Sequence, residues 1–303
     1  MQLLIIGGSG QLSGRLAQMA LEQGHQVWTV TRGNRALPSG VHSIIADRSD
    51  PAALGAALSA QHTRWDAVLD CICMNPEHAW IDLEHISAYC DRFVVVSTDS
   101  VYHPSHKQVP QSEEAEHYMD DGGYGAQKRK MEEVFLSSQS VSVRWTIFRP
   151  GHIFGPGFLL GCFPEQSRQP DLLSHMRAGR PLRLVGGGEL LIHPIFVDDL
   201  AQCMLDCIGN PRTCGEIFCI GGPEAIPNAE YYRTIGRIIG CPAVIEEIPL
   251  EGYLEAHPQY SGHLCQRSYT LRKLEEAGVP LPSTPLETGL MRHIAWLDAQ
   301  ESV

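Results

Sequence analysis

Leu3-Leu4-Ile5-Ile6-Gly7-Gly8-Ser9-Gly10-Gln11-Leu12-Ser13-Gly14-Arg15 opens the chain, and its reading decides the fold. Four consecutive apolar residues predict a strand buried on both faces, as in a parallel sheet. A glycine-rich turn follows, then Leu16, Met19, Ala20 and Leu21 at helical spacing. Such a strand–turn–helix presents backbone N–H groups at a helix N-terminus, where they cradle a dinucleotide pyrophosphate. Glycine serves the turn because a Cβ would keep the phosphate from the backbone. Gly7, Ser9, Gly10, Gln11 and Leu12 are therefore the first candidate cofactor contacts. Ser13 stands where a third glycine is expected; it is small enough for close helix–strand packing.

Working outward, strands are predicted at 24–33, 43–47, 66–71, 93–97 and 143–148. Helices are predicted at 51–60, from about Trp80 to Cys90, and from Tyr124 to about Leu136. This alternation implies βαβ units in a doubly wound parallel sheet, with ligands at the carboxyl ends of the strands. Beyond Pro150 proline and glycine become denser. Ile195 to Ala201 opens a helix, and Glu216 to Gly222 reads as a seventh buried strand. Helices at about Asn228–Ile239 and Leu286–Asp298, with a short strand at Ala243–Ile248, complete the chain. The expected fold is an α/β Rossmann sheet with a smaller C-terminal α/β substrate lobe. Its core spans 1–150, residues 195–222 return to it, and the lobe lies mainly within 151–303.

The end of the second strand bears on the cofactor. A carboxylate there accepts the ribose 2′-OH of NAD and repels the 2′-phosphate of NADP. The residues are Thr31, Arg32, Gly33, Asn34 and Arg35, so Arg32 and Arg35 favour NADP, with NAD the alternative. Asp47, closing the third strand, either contacts adenine or caps a turn.

The 303 residues, 43% hydrophobic and 19% charged, are ordinary for a globular protein. A formal charge of −12 argues against nucleic acid and acidic membranes as partners. No apolar run approaches the ~20 residues that span a bilayer, and the N-terminus lacks the pattern of a signal peptide. The ten cysteines include no Cys-x-x-Cys pair, so no metal site is expected. They read as reduced core thiols of a cytoplasmic protein.

The chemistry-bearing constellation lies further on. The fifth strand ends Ser97-Thr98-Asp99-Ser100-Val101-Tyr102, and a helix begins Tyr124-Gly125-Ala126-Gln127-Lys128. Tyr124 and Lys128 share a helix face at i and i+4. A nearby ammonium stabilises phenolate and brings a phenol of pKa ~10 toward a useful range. Lys128 could also hold the nicotinamide ribose. Thr98 could orient a substrate oxygen while Tyr124 exchanges its proton.

With these motifs, and with Arg149-Pro150-Gly151-His152-Ile153-Phe154-Gly155-Pro156, Val197-Asp198-Asp199-Leu200-Ala201 and Gly221-Gly222, the chain resembles the extended short-chain dehydrogenase/reductases, the NAD(P)-dependent epimerase/dehydratase group, over nearly its full length. The resemblance implies a strand order 3-2-1-4-5-6-7 and catalytic places for Thr98, Tyr124 and Lys128, and raises the possibility of a homodimer. Asp99 joins the catalytic candidates; Ser100 and His152 are substrate candidates.

Departures from the family pattern bear on the substrate. Sugar-nucleotide 4,6-dehydratases carry Thr-Asp-Glu where this chain has Thr98-Asp99-Ser100, so the elimination base is missing from its usual place. The arginine that clamps a diphosphate before Val-Asp-Asp-Leu-Ala is missing too: that run reads Ile192-His193-Pro194-Ile195-Phe196. Arg177, Arg180 and Arg183 are either substitutes or surface charge. His152, in place of the family's Asn, is a second acid/base, a substrate donor, or a histidine satisfied by backbone; His193 reads as structural. The expected activity is an NAD(P)-dependent oxidoreductase or epimerase acting on a hydroxyl or carbonyl of a sugar-like or other polar small molecule. The alternatives are a nucleotide-sugar dehydratase, or a non-catalytic nucleotide sensor or RNA-binding relative of the same fold.

Overall fold

Leu3, Leu4, Ile5 and Ile6 are all fully buried in the computed structural model of the chain, which describes residues 1–138 and 143–301. Residues two apart on a strand share a face. Leu3 and Ile5 pack with Leu16, Ala20, Leu200 and Met204, whereas Leu4 and Ile6 pack with Leu54, Leu58, Met131 and Phe135. The strand β1 (Gln2–Ile6) is thus covered by helices on both sides, which is why it reads as an unbroken apolar run.

The remaining sheet strands are β2 (Gln26–Thr31), β3 (His42–Ile45), β4 (Ala67–Asp70), β5 (Arg92–Val96), β6 (Arg144–Pro150) and β7 (Glu216–Ile220). All pair in parallel, in the order β7-β6-β5-β4-β1-β2-β3, as the resemblance implied. The strand order reverses between β1 and β4, opening a crevice at their carboxyl ends.

Helix α1 (Gln11–Glu22) follows the glycine turn, and α2 (Pro51–Ser59) starts where the Asp50 carboxylate accepts from Ala53 N at 3.0 Å. The next helix begins earlier than the expected Trp80. Asn75 accepts from His78 N at 2.9 Å and Pro76 takes the first helical position, so α3 is Pro76–Ile81. It then widens into a π turn (Asp82–Ile86) and tightens into a 3₁₀ turn (Ser87–Tyr89). The widening starts at Asp82, whose carboxylate accepts from Arg48 at 2.8 Å. Helix α4 (Tyr124–Ser137) packs close to the turn after β5; a Cβ on Gly125 would overlap the carbonyl oxygen of Ser100.

Helix α5 (Val197–Asp206) returns to the sheet, where Arg15 grips Asp198 with hydrogen bonds of 2.6 and 3.0 Å. The smaller lobe has its own apolar cluster, including Phe154, Leu173, Tyr231, Leu290 and Ile294. It contains α6 (Asn228–Ile239) and α7 (Leu286–Glu301). The short C-terminal strand is Ile245–Ile248, paired in parallel with Leu182–Val185, a partner the sequence did not reveal. His293 of α7 donates from Nε2 to Phe158 O at 2.7 Å and accepts Gly155 N at 3.2 Å, fixing the loop after β6. The ten cysteines form no disulfide, and among the described residues no helix is long and apolar enough to cross a membrane.

A buried ion pair fastens α4 to the sheet. Arg149, closing β6, donates to Glu132 at 2.9 and 2.6 Å, and Ser97 Oγ donates to the same carboxylate at 2.6 Å. Removing Arg149 strips the buried Glu132 of its two shorter guanidinium bonds and leaves it Arg129, at 3.2 Å, as its remaining cation. Arg149→Met is expected to cost about 3–5 kcal/mol in urea unfolding, and adding Glu132→Leu should recover most of that loss.

Candidate functional site

Two cavities, each of about 460 Å³, lie along the carboxyl ends of the strands and share Gly10, Ser13, Ile72 and Met74 as common wall. Together they make one cleft, long in the direction a dinucleotide extends. Gly7 and Gly8 adopt φ of +117° and +97°, which side-chain-bearing residues avoid. A Cβ on Gly8 would also overlap Thr29. Ser13 fills the place of the third glycine by packing under the turn, its Oγ accepting from Gly10 N at 3.1 Å. The turn, with its bare backbone at the start of α1, fits a pyrophosphate.

One cavity is lined by Gly7, Ser9, Gly10, Thr31, Arg32, Arg35 and Asp47, so the candidates at the ends of β2 and β3 meet there. Asp47 accepts from Ser49 N at 2.9 Å and so caps its turn as well as facing the cavity. Beneath lies a group missed from the sequence. Arg48 pairs with Asp70 and, at 2.8 Å, with Asp82; all three are buried. Burial would raise both acids; Arg48 overcomes this at Asp70 and lowers it, while burial and the neighbouring Asp70 charge hold Asp82 well up. Asp70, Cys73 and Asp82 bring ligand atoms within 4.8 Å of one another, but the Arg48 guanidinium already neutralises that cluster.

The other cavity gathers Gln11, Leu12, Thr98, Asp99, Ser100, Tyr124, Lys128 and His152, so the remaining candidates converge. Thr98 Oγ1 accepts from Ser100 N at 3.2 Å. Tyr124, the first residue of α4, is 57% exposed on the cleft wall. Lys128, one turn on, is 1% exposed and donates to Cys73 O at 2.7 Å and Val96 O at 2.6 Å. Burial on the crowded wall raises the Tyr124 pKa, the Thr98 hydroxyl opposes this, and the Asp99 charge adds to it. Burial lowers the Lys128 ammonium.

Asp99 does not stand free as an acid/base. It is 2% exposed, and its Oδ2 accepts from Arg267 at 2.8 and 2.6 Å and from Tyr269 Oη at 2.7 Å. Burial alone would raise this carboxyl, but Arg267, Lys107 and the Tyr269 hydrogen bond hold it at about 2. Arg267 and Tyr269 lie 168 and 170 residues downstream, in a stretch without periodicity, and no local signal points to them. His152 is a neutral imidazole, pushed well below its ordinary value by burial and by Arg168 and Arg267. It contacts Cys162 Sγ at 3.7 Å and Tyr231 edge-on. His193 is structural as expected, bonded to Gly222 O at 2.8 Å and accepting Tyr269 N at 3.1 Å. Arg177, Arg180 and Arg183 pair with carboxylates elsewhere and do not line this cavity, whereas Arg168 and Arg267 do.

Comparison with known proteins gives a consistent picture. The NAD dependent epimerase/dehydratase family matches residues 3–221. A 2-alkyl-3-oxoalkanoate reductase of Stenotrophomonas maltophilia is 26% identical over 301 residues, covering 90% of this chain and 85% of the relative. The chloroplast stem-loop binding protein of 41 kDa b of Arabidopsis thaliana is 28% identical, covering 80% of this chain and 64% of its own. Among solved structures, UDP-glucose 4-epimerase of Thermotoga maritima with UDP-glucose superposes with a TM-score of 0.80 at 18% identity, covering 99% of this chain and all of that one. The dTDP-glucose 4,6-dehydratase of Bacillus anthracis in complex with NAD gives 0.79 at 17% identity, covering 100% and 98%. At such identities the superpositions establish the fold.

The Asp99 site has a measurable signature. Its carboxyl moves from an ordinary 3.8 to about 2, so its contribution is present above pH 4 and is lost as pH falls toward 2. A shift of that size corresponds to about 2 kcal/mol. Urea unfolding should show Asp99→Asn less stable than the unmutated chain by at least that amount at pH 7, with the gap narrowing below pH 4. A gap independent of pH would show that the carboxylate is not the interacting form.

Proposed function

The chain belongs to the NAD dependent epimerase/dehydratase family, and from that premise we propose that Thr98, Tyr124 and Lys128 serve an oxidoreductase or epimerase reaction at a hydroxyl or carbonyl of a polar small molecule. The observation that carries the reading is their meeting in one cavity continuous with the glycine turn of β1. Gly7, Ser9, Gly10 and Lys128 would hold a nicotinamide dinucleotide, whose chemistry when bound would be to supply or accept the hydride.

The chain's own groups handle the proton and the geometry. A raised phenol is protonated at neutral pH, so Tyr124 is poised to donate to an oxygen that gains charge, and to take the proton back in the reverse direction. Thr98 holds that oxygen. An ammonium has three N–H donors; Lys128 commits two to carbonyls, leaving one for a ribose hydroxyl. Asp99, tied to Arg267 and Tyr269, positions the Thr98–Ser100 turn without exchanging protons.

Two relatives suggest different substrates: one is named for a 2-alkyl-3-oxoalkanoate, and one solved structure holds UDP-glucose. Ile192 and His193 stand where the family's diphosphate-clamping arginine is expected, and none of Arg177, Arg180 and Arg183 lines the cavity, so any grip on an anionic substrate falls to Arg168 and Arg267. The non-catalytic alternative is disfavoured by the intact Tyr124–Lys128 pair, and RNA binding by the charge of −12. Of the two cofactors, NADP is the proposed one, because Arg32 and Arg35 line the cavity beside Thr31.

Two measurements test these assignments. Tyr124→Phe should keep cofactor binding, read by quenching of protein fluorescence, and lose roughly 10²–10⁴-fold in single-turnover hydride transfer with a responsive ketone or alcohol; near-normal turnover would remove Tyr124 from the chemistry. Arg32→Ala should weaken NADP binding selectively, by about tenfold, leaving NAD affinity little changed. Equal or tighter binding of NAD by the unmutated protein would sink the preference.

A further inference from the structure

Arg168 forms no ion pair among the described residues, although it lines the same cavity as Tyr124 and Lys128. Arg267 is neutralised by Asp99 at 2.6 Å, yet no carboxylate answers Arg168, and its buried Nη1 has no hydrogen-bond partner. The occluded Nη1 is closed to a ligand, but no hydrogen bond or ion pair holds the rest of the guanidinium among the described residues, and an unanswered charge at a cavity wall favours an anion there. The guanidinium lies over the ring of Phe158, Cζ 4.5 Å from the centroid, and Phe158 lines the cavity too. Stacking holds the plane still and leaves the donor edge for another group. The backbone is strained at this residue, with φ +48° where a residue other than glycine rarely sits. The turn beneath is tight: a Cβ on Gly161 would overlap the carbonyl of Gln166.

We propose that Arg168 binds an anionic oxygen group of the substrate, a carboxylate or a phosphoryl, and so makes a small acid the substrate class. The assignment of that anion to the substrate rests on reading the cleft as a hydride-transfer site; the anion site itself does not. His152 and His263 line the same wall as neutral imidazoles, adding hydrogen bonds and no charge. Because about 460 Å³ must also admit one end of the dinucleotide, a small acid fits better than a nucleotide-linked sugar.

The test is calorimetric titration of malonate, inorganic phosphate and neutral malonamide into the protein, with and without saturating NADP. The unmutated chain is compared with Arg168→Asn and Arg168→Lys. Asparagine tolerates the left-handed backbone, so it removes the charge without forcing the turn to rearrange, and NADP affinity in the same samples confirms an intact fold. The unmutated protein should bind an anion and not malonamide, Arg168→Asn should weaken that binding at least about tenfold, and Arg168→Lys should fall between. Tighter malonate than phosphate assigns a carboxylate; the reverse assigns a phosphoryl group. No anion bound by the unmutated protein, equal affinity for malonamide, or unchanged affinity in Arg168→Asn would each overturn the proposal. Loss of the cofactor reading is separable, since it would appear as failure of NADP and NAD to bind while the anion titrations stand.

Discussion

The buried pair of Arg149 and Glu132 is the constraint on which the reacting end of the molecule depends. Glu132 sits one helical turn beyond Lys128, so whatever fixes Glu132 also fixes the rotation of α4 and the direction of Lys128 and Tyr124. Three elements converge on it. Arg149 reaches from the end of β6, Ser97 from the end of β5, and Arg149 also donates to Tyr102 Oη at 2.8 Å and Glu113 O at 2.7 Å in the long loop. Such a pair is costly to desolvate and is not by itself a large source of stability. Its effect is orientation: α4 cannot slide or turn without stranding a charge. Gly125 completes the arrangement by letting the start of the helix touch the backbone of Ser100.

A chain with a formal charge of −12 nevertheless lines this cleft with cations. Arg48 and Arg267 are each matched by a buried carboxylate. Lys128 is matched by carbonyl oxygens alone, and Arg168 by an aromatic face. The net acidity of the surface and the positive character of the cleft therefore serve different ends. The first is unfavourable to the binding of polyanions. The second leaves cleft cations, Lys128 and Arg168 among them, without a carboxylate partner among the described residues.

Legibility in the sequence followed the range of the interactions. The sheet was readable because β1, β4 and β5 are buried on both faces and announce themselves as apolar runs, and because the glycine turn is a local steric demand. Thr98, Tyr124 and Lys128 were readable because their spacing on one strand end and one helix is local too. Arg267 and Tyr269 were not, since their only signature is a contact across 168 and 170 residues from an irregular segment. Arg168 was hidden for a related reason: what marks it is an unpaired atom and a positive φ, neither visible in a string of letters. The helix after Asn75 starts earlier than its apolar residues suggest because the Asn75 cap and Pro76 set its first turn.

The fate of Asp99 narrows the chemistry. Among the described residues it is the carboxylate that lines the reacting cavity, and it is committed to Arg267 and Tyr269 and held at about 2. A carboxylate so strongly acidic is a poor base, and Ser100, beside it, offers a hydroxyl where an elimination base is needed. The two imidazoles on the wall, His152 and His263, are also depressed, which makes them weak bases. Among the described residues that line the cavity, Asp99 and these two imidazoles are poorly suited to pull a proton from carbon, whereas on the proposed reading Tyr124 and Thr98 exchange one with oxygen. Dehydration needs the former. Reduction, oxidation, and inversion through a transient ketone need only the latter, and it is to these that the arrangement of the cleft is matched.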